Sequence, residues 1–338
     1  MSLFVNFLHQ WPAYCKHQVV NNIVKEWKKF ASKIMPTKIF SAQTASTIDF
    51  DSNPDQLIKS ALDFYATNLS QWISQQSSFG IIYQYPCKSQ HDDHYLDSKL
   101  DQNLSMVLFC PKTETLKIQQ MLTRTRFHWY RKLSKSPMKS GFESKLNENI
   151  FEIGYEPKQL SKSILLDRIE FNFNYNDQQR LNNMDIIFCN SNLGNCLLAF
   201  LDDCFTPTTI NDHDKKVVMK LNPLLVPFKL AINIDSMGCK AIGQRKLLEV
   251  AQHLIDLLEE HSETITIFPF ASDNPITIDQ CDRLAVKYCI ILKEETLRNG
   301  IIYLRNRDTG ISEQVHISNL LKTILFYLQP DKLITYKD

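Results

Sequence analysis

The stretch from Leu297 to Thr309 limits the possible folds more than any other part of the chain. Its Asn299-Gly300 pair is a turn signal. The β-branched and aromatic residues at 301–304 predict a strand, and residues 305–308 place charged and amide groups at its end. Residues 313–317 can form a second strand. The stretch therefore predicts a turn, two strands and a closing helix.

The run Arg-Asn-Arg-Asp-Thr at 305–309, with a turn and a final helix after it, resembles the end of the anticodon-binding domain of class II aminoacyl-tRNA synthetases. The longer run at 295–309, together with Val-His-Ile-Ser-Asn-Leu at 315–320, resembles a narrower family. This family is the accessory (processivity) subunits of the mitochondrial DNA polymerase, the gamma polymerase. The resemblance extends from about Pro12 to Leu328.

The resemblance implies an α/β (α+β) chain of two domains. Residues 1–220 would form a degenerate class II synthetase-like core built on an antiparallel sheet. Residues 221–338 would form an anticodon-binding-like α/β domain with a mixed sheet, which docks the polymerase. A length of 338 residues independently favours about two domains.

Alternating patterns predict the elements within each domain. In the core, residues 54–76 predict a helix with one apolar face, and 136–163 predict a loop with one short strand. In the second domain, strands are expected at 226–234, 264–268 and 284–292, in addition to the two near the C-terminus.

Composition argues against several classes of site. The net charge of +1 means that any nucleic-acid contact must come from local basic patches. Nine scattered cysteines without a Cys-x-x-Cys pair suggest neither a zinc site nor a disulfide framework. His91, Asp92, Asp93 and His94 could bind a metal, but their spacing favours a solvated acidic loop. We therefore expect no metal and no cofactor.

The N-terminal region allows two interpretations. Residues 1–48 contain one acidic residue against six lysines, a bias typical of mitochondrial transit peptides, although they contain no arginine. Apolar residues between Val20 and Ile34 recur at helical spacing, which favours a folded helix and confines any targeting signal to the first dozen residues. Lys25, Lys28 and Lys29 lie on the polar side of this helix, as DNA contacts or as a solvated face.

A second basic stripe occurs on the helix predicted from Thr115 to Lys135. Arg124, His128, Arg131 and Lys135 share one face of this helix. Such a stripe can neutralise phosphates of primer-template or double-stranded DNA, and a solvated helix face is the alternative. The candidate DNA-binding residues are those at these two places: Lys25, Lys28, Lys29, Arg124, Arg131 and Lys135.

Two arginines that an active synthetase needs have no counterpart here. Gln84 and Pro86 stand where the second synthetase motif has an arginine and a glutamate. A neutral amide cannot clamp a phosphate as a planar guanidinium does. The segment at 193–201, in the place of the third motif, keeps one glycine, and no arginine occurs between Arg180 and Arg245. The chain is therefore expected not to be an enzyme and to have no catalytic residues.

The expected docking surface lies in the second domain. The resemblance places polymerase docking there, and the candidate residues that line or support the surface are Gly300, Ile302, Leu304, Arg305 and Arg307. Residues 41–52 form a short polar loop where the vertebrate form of the family carries a dimerising helical insertion. The chain is thus expected to follow the short, insect-like form, without a homodimer, and to pair one-to-one with the catalytic subunit.

The function implied by the resemblance is that of a non-catalytic accessory subunit. It would bind the catalytic subunit and raise primer-template affinity and processivity in mitochondrial DNA replication, in the matrix at the nucleoid. The alternatives are a divergent class II aminoacyl-tRNA synthetase and a synthetase-like tRNA-binding protein. No apolar run reaches the ~18 residues that a membrane span requires.

Overall fold

A computed structural model describes residues 3–34, 38–42, 54–69, 77–87, 98–175, 184–211, 214–235, 240–261 and 265–328. The chain forms two compact units, Met1–Asp203 and Cys204–Asp338. The histidine- and aspartate-containing loop at 91–94 lies outside the described residues.

The first unit combines helices with one large sheet. Its helices are α1 (Leu3–Gln10), α2 (Ala13–Ile34), α3 (Pro54–Phe64), α4 (Thr115–Leu133) and α5 (Leu193–Cys204). Its strands are β1 (Lys38–Ala42), β2 (Phe79–Pro86), β3 (Gln102–Pro111), β4 (Phe142–Asn147), β5 (Ile150–Tyr155), β6 (Ile164–Glu170) and β7 (Met184–Asn192). A π-helical turn, Tyr65–Leu69, extends α3, and a 3₁₀ turn, Ser98–Leu100, precedes β3.

The seven strands lie in the order β1-β2-β3-β7-β6-β5-β4. Only the described β1–β2 pair is parallel, and the remaining neighbours are antiparallel. Alternate residues of β2, from Phe79 to Tyr85, pack against the apolar face of α3. On other helices Trp129 of α4 contacts Phe30 of α2 and Phe200 of α5. The predicted antiparallel core is confirmed.

One prediction for the first unit was wrong, and another is covered only in part by the described residues. The predicted helix from 54 to 76 ends as an α-helix at Phe64, followed by the π-helical turn, and residues 70–76 are not described. Residues 136–163 contain two paired strands, β4 and β5, where one short strand was expected. β4 lies at an edge of the sheet and buries only Phe142, so it lacks the apolar alternation that marks a strand.

The second unit begins with a hairpin and continues as a mixed sheet with helices. Its strands are β8 (Phe205–Asn211), β9 (Asp214–Met219), β10 (Leu230–Ile234), β11 (Tyr288–Leu292), β12 (Ile301–Asn306) and β13 (Ser312–His316). Its helices are α6 (Ala241–Glu259), α7 (Ile278–Arg283), α8 (Thr296–Asn299) and α9 (Leu320–Leu328), with a 3₁₀ turn at Ile317–Asn319.

Four strands of the second unit form a sheet in the order β10-β11-β12-β13, with β10–β11 parallel and the other pairs antiparallel. Apolar residues of α6 and α9 pack with Leu230, Ile290 and Ile302 in one core. The mixed sheet is confirmed. The expected strand at 264–268 forms only an isolated bridge, between Ile267 and Leu230.

The hairpin β8–β9 belongs to the second unit, which begins at Cys204. The sequence analysis placed the domain boundary later, between residues 220 and 221. Lys216 of β9 also contacts this unit, since its Nζ lies 2.6 Å from Oδ1 of Asp279 and 3.0 Å from Oδ2 of Asp282. Both carboxylates belong to α7, so the hairpin is tied to the second unit. The assignment of 221–338 to polymerase docking remains a prediction.

Candidate functional site

Gly300 ends α8 and begins β12 in a left-handed conformation, with φ 67° and ψ 13°. Its N–H donates to the carbonyl of Thr296, at 3.0 Å, and its carbonyl accepts from the N–H of Ile317, at 2.9 Å. A Cβ at this position would lie 2.8 Å from Nε2 of His316. Both the positive φ and the close ring therefore require glycine here.

The two apolar candidates on β12 point into the core. Ile302 and Leu304 are 0% and 2% exposed and belong to the cluster that contains Leu247 and Leu320. They can support a docking surface, but in this conformation they cannot line one. Tyr303, between them, faces the other way and donates a hydrogen bond to the carboxylate of Glu295.

The two arginine candidates are bound to groups of their own unit. Arg305 donates two hydrogen bonds to the carboxylate of Asp282, at 2.7 and 3.0 Å. Arg307 is buried and donates to the carbonyls of Ala285, at 2.7 Å, and Leu221, at 2.6 Å. Such charge-assisted bonds fix the loops at the end of β12. In the free chain both guanidinium groups are therefore engaged within their own unit, and their role in a docking surface remains a prediction.

Asp308 completes this arrangement. Its carboxylate accepts from Arg307, at 2.9 and 2.6 Å, and from the ammonium of Lys287. Burial on its own would raise the pKa of Asp308, but the two cations outweigh burial and hold the pKa below the usual 3.8. The carboxylate is thus ionised at neutral pH and anchors both cations.

The candidate DNA-binding lysines on α2 differ in their exposure and in their ion pairing. Lys25 and Lys29 are exposed, and Lys28 is half-buried. Lys29 lies 3.7 Å from Glu26, so its charge is partly neutralised. The structure therefore leaves Lys25 and Lys28 as the stronger cationic candidates on this helix.

The stripe on α4 is only partly open. Arg124 and His128 are exposed. Arg131 is half-buried, and its Nε donates to the carbonyl of Pro137 at 2.9 Å. Lys135 lies beyond the end of α4, and its backbone N–H donates to Asp203 at 2.7 Å. Arg124 and Lys135 are thus exposed cations of this group, whereas Arg131 already donates to a carbonyl of its own unit.

A buried arginine on the same helix was missed by the sequence analysis. Arg126 is 2% exposed, and its Nε lies 2.5 Å from Oδ2 of Asp167. Its guanidinium lies over the rings of Trp129, at 4.3 Å, and of Trp27, at 5.0 Å. Burial would lower the pKa of Arg126, but Asp167 raises it above its usual value. The available signal was the clustering of aromatic residues around position 126.

The predicted place of the synthetase ATP site, beside Gln84, contains amides and no arginine among the described lining residues. Gln84 of β2 donates to Oε1 of Gln102, at 2.7 Å, and Nε2 of Gln102 donates to the carbonyl of Lys99, at 3.0 Å. A cavity of about 600 Å³ borders Gln84 and Gln102. The replacement of a phosphate-clamping arginine by Gln84 remains a prediction.

The helix in the place of the third synthetase motif carries buried carboxylates. Asp202 of α5 accepts from the hydroxyl of Tyr155, at 2.8 Å, and from the backbone N–H of Lys158, at 2.7 Å. Asp203 accepts from Nζ of Lys158, at 2.7 Å. These carboxylates hold the segment around residue 158 in place. Both carboxylates are therefore engaged in contacts within the chain.

The described residues contain neither a candidate metal site nor a membrane-spanning helix. No group of three or more histidine, cysteine, aspartate or glutamate side chains in those ranges could hold a metal ion. None of the described helices is long and apolar enough to cross a membrane.

Comparisons with known proteins agree with this geometry. A family described as "Anticodon binding domain" matches residues 235–326. DNA polymerase subunit gamma-2 of Mus musculus is 28% identical over 253 residues, which are 66% of this chain and 53% of the mouse protein. DNA polymerase subunit gamma-2, mitochondrial, of Xenopus laevis is 25% identical over 66% of this chain and 52% of its own length. The chain is similar to the gamma-2 subunits of DNA polymerase.

Synthetases form a second group of relatives. Glycine–tRNA ligase of Alkaliphilus metalliredigens is 29% identical over 36% of this chain and 24% of the ligase. The resemblance to gamma-2 accessory subunits and to class II synthetases is therefore confirmed, as is the synthetase-like fold. The chain spans about half the length of the gamma-2 subunits that it matches, 53% and 52%.

Proposed function

We propose that the chain is a non-catalytic accessory subunit of the mitochondrial DNA polymerase. It binds the catalytic subunit one-to-one, without forming a homodimer, and raises the enzyme's affinity for primer-template DNA and its processivity. It acts in the mitochondrial matrix at the nucleoid. The observation that carries this proposal is the similarity to gamma-2 subunits over 66% of the chain.

The second unit supplies the docking surface in this proposal. Arg305, Arg307 and Asp308 are held by groups of their own unit, so the surface above them is rigid before the partner arrives. A preformed surface loses less conformational entropy on binding than a flexible one. Gly300 contributes by letting α8 and β12 meet beside His316.

The first unit supplies the DNA contact. Lys25 and Lys28 on α2, with Arg124 on α4 and Lys135 after it, can each neutralise a phosphate, and Arg131 and Lys29 have competing contacts. Each neutralised phosphate releases counterions and strengthens binding at low salt. Additional phosphate contacts slow the dissociation of the polymerase without taking part in phosphoryl transfer.

Primer extension on a long single-stranded template tests the proposal directly. The catalytic subunit is assayed with and without this chain at moderate salt, with a DNA trap that limits each polymerase to one binding event. We expect longer products with the chain present. Gly300→Ala should weaken the effect by reducing docking, and Gly310→Ala is the matched control. Unchanged product lengths with the folded wild-type chain would contradict the proposal.

The similarity to glycine–tRNA ligase favours one alternative, a synthetase or tRNA-binding protein. The absence of an arginine at position 84 and throughout α5 argues against ATP activation. A pyrophosphate-exchange assay with glycine separates the two functions, and we expect no exchange. Competition between tRNA and primer-template DNA then tests the binding alternative, and preferential tRNA binding would favour it.

A further inference from the structure

Two cysteines of the second unit lie with their thiols in contact. Cys281 belongs to α7 and Cys289 to β11, and Sγ of Cys281 donates a hydrogen bond to Sγ of Cys289 at 3.7 Å. Both side chains are buried in the small apolar cluster that also contains Ala231, Val286 and Ile291. The contact therefore joins a short helix to an inner strand of the sheet.

This pair needs little rearrangement to form a disulfide. The sulfur atoms of a disulfide lie ~2.05 Å apart, so the two thiols must approach by roughly 1.7 Å from their present 3.7 Å. A cysteine side chain turns about a single torsion angle, and α7 is only six residues long. Rotation of the side chains, together with a small displacement of α7, supplies an approach of this size.

The helix that carries Cys281 also holds two other strands. Asp282, the next residue, is fully buried and accepts two hydrogen bonds from Arg305 of β12, at 2.7 and 3.0 Å. Its Oδ2 also lies 3.0 Å from Nζ of Lys216 on β9. Arg305 is the neighbour of Cys289 in the register of β11 and β12. The thiol pair and the ionic contacts therefore lie at the same place on the sheet, and α7 carries one member of each.

The closed arrangement protects the thiols from reagents. The hydrogen bond to Cys289, and then burial, raise the pKa of the Cys281 thiol well above its usual range. Because the thiolate is the reactive form, Cys281 reacts slowly while α7 is in place. Reaction requires α7 to open, and a six-residue helix at the surface of a sheet opens locally at a lower free energy than the strands beneath it.

We propose that Cys281 and Cys289 form a reversible thiol–disulfide pair that a peroxide oxidises and that fixes α7 to β11. In the reduced chain α7 opens locally and releases Asp282 from Arg305. In the oxidised chain the disulfide holds the helix on the sheet and keeps this ionic contact closed. The pair thus makes the stability of the region around the end of β12 depend on the redox state. This property does not depend on docking to a polymerase.

The oxidation consumes one hydrogen peroxide and releases two water molecules. The first cysteine, as its thiolate, attacks the O–O bond and becomes a sulfenic acid, and the departing hydroxide takes up the proton that this thiol lost. The second thiol attacks the sulfenic sulfur, the S–S bond forms, and the hydroxyl group leaves as water with the proton of that thiol. The two sulfur atoms lose two electrons and the peroxide oxygens gain them. A dithiol reductant reverses the reaction by thiol–disulfide exchange.

Peptide mapping of the full chain after treatment with hydrogen peroxide tests the pair. The chain carries Cys239→Ser, because Cys239 lies outside the described residues, and free thiols are blocked before digestion. Trypsin cleaves after Arg283 and Lys287, so the two cysteines fall in separate peptides that only a disulfide joins. We expect the peptides of Cys281 and Cys289 to be linked after oxidation and to separate after treatment with dithiothreitol.

Serine substitutions supply the controls for this experiment. Cys281→Ser and Cys289→Ser should each abolish the linked peptide, and Cys110→Ser, which replaces a buried thiol of the first unit, should leave it unchanged. The half-buried Cys87 shows by its own oxidation that the peroxide has acted. Absence of the linked peptide in a chain with oxidised Cys87, or linkage of Cys281 to a different cysteine, would overturn the proposal.

Hydrogen exchange measures whether the disulfide acts on α7. The amides of residues 278–292 should exchange about fivefold or more slowly in the oxidised wild type than in the reduced wild type, because the cross-link suppresses local opening. In Cys289→Ser, treatment with peroxide should leave these rates unchanged. Equal rates in the two wild-type states would contradict the proposed hold on α7. Since these measurements contain no polymerase, their failure is distinct from a failure of the accessory-subunit proposal.

Discussion

Gly300 and His316 lie so close that a methyl group on the glycine would be 2.8 Å from Nε2 of the imidazole. The backbone at Gly300 is also left-handed, with φ 67°. We predict that Gly300→Ala lowers the free energy of unfolding of the second unit by roughly 2–3 kcal/mol. About 1–2 kcal/mol comes from the backbone, and the rest comes from displacing the ring. Urea unfolding measures the change.

Gly310 provides the control for this substitution. It has a similar φ of 71°, but no atom lies within 4 Å of where a Cβ would be. Gly310→Ala should therefore cost only the backbone contribution. The double variant Gly300→Ala/His316→Ala should recover the difference, after correction for His316→Ala alone. Equal losses for Gly300→Ala and Gly310→Ala would show that the imidazole does not restrict position 300.

Arg124 and Arg126 lie two residues apart on α4, but substituting them should have very different effects on the free energy of unfolding. Arg126→Met leaves Asp167 buried without its cation and should cost roughly 3–5 kcal/mol in urea unfolding. Arg124→Met, at an exposed position, should change stability by about 0.5 kcal/mol or less.

Substitution of Arg124 should weaken DNA binding more than substitution of Arg126, which is the reverse of their order for loss of stability. For Arg124→Met, the slope of log K against log salt should fall by about 0.9, the value for one lost phosphate contact. Filter binding with primer-template DNA at several salt concentrations measures the slope. An unchanged slope would mean that Arg124 belongs to a solvated helix face.

The contrast between these arginines shows which burial the sequence could predict and which it could not. Helical periodicity places 118, 122, 125, 129 and 133 in the core, and these residues are buried except Thr125, which is half-buried. It does not show that position 126 is buried as well, because an arginine is buried only where a carboxylate and aromatic rings from other elements meet it. Asp167 and Trp27, which do so, are distant in sequence.

The predicted docking strand shows the same limit. Residues 301–304 have the composition of a strand, and β12 forms there. Composition alone could not distinguish an arginine that is exposed to a partner from one that is paired within its own unit. Arg305 is held by Asp282 and Arg307 by Leu221 and Ala285, and these contacts depend on the tertiary fold. The edge strand β4 was missed because it buries one side chain only.

Asp308 should make the second unit sensitive to acid. Its pKa is held below the usual 3.8 by Arg307 and Lys287, against the effect of burial. The stabilisation is therefore present above about pH 4 and is lost as the pH falls through the lowered pKa of the folded state. Asp308→Asn should destabilise the chain by about 1 kcal/mol near neutral pH.

Urea unfolding at several pH values checks this prediction. The difference between the wild type and Asp308→Asn should narrow as the pH falls below about 4, since the wild-type carboxylate becomes protonated. Asp273→Asn, at an exposed residue of the same unit, is a suitable control. A difference that stays constant down to about pH 2 would indicate that the ionised carboxylate contributes nothing.

Thiol reactivity should single out one described cysteine. Cys87 is half-buried, and the other described cysteines are buried. Burial raises the pKa of Cys15 and Cys196 to about 12, and that of Cys110 to about 11. Since the thiolate is the reactive form, these buried thiols should resist alkylation at neutral pH. We predict that iodoacetamide modifies Cys87 first among the described cysteines, as measured by peptide mass spectrometry.

The labelling experiment is best done in a Cys239→Ser background, because Cys239 lies outside the described residues. Cys87→Ser in that background should abolish the fast phase, and unfolding in urea should expose all remaining thiols to the reagent. Modification of Cys189 or Cys196 at the rate of Cys87 would show that the first unit opens readily around the Arg126–Asp167 pair. Slow labelling of both, by contrast, would mean that the aromatic and ionic contacts around Arg126 keep this core closed on the timescale of the reaction.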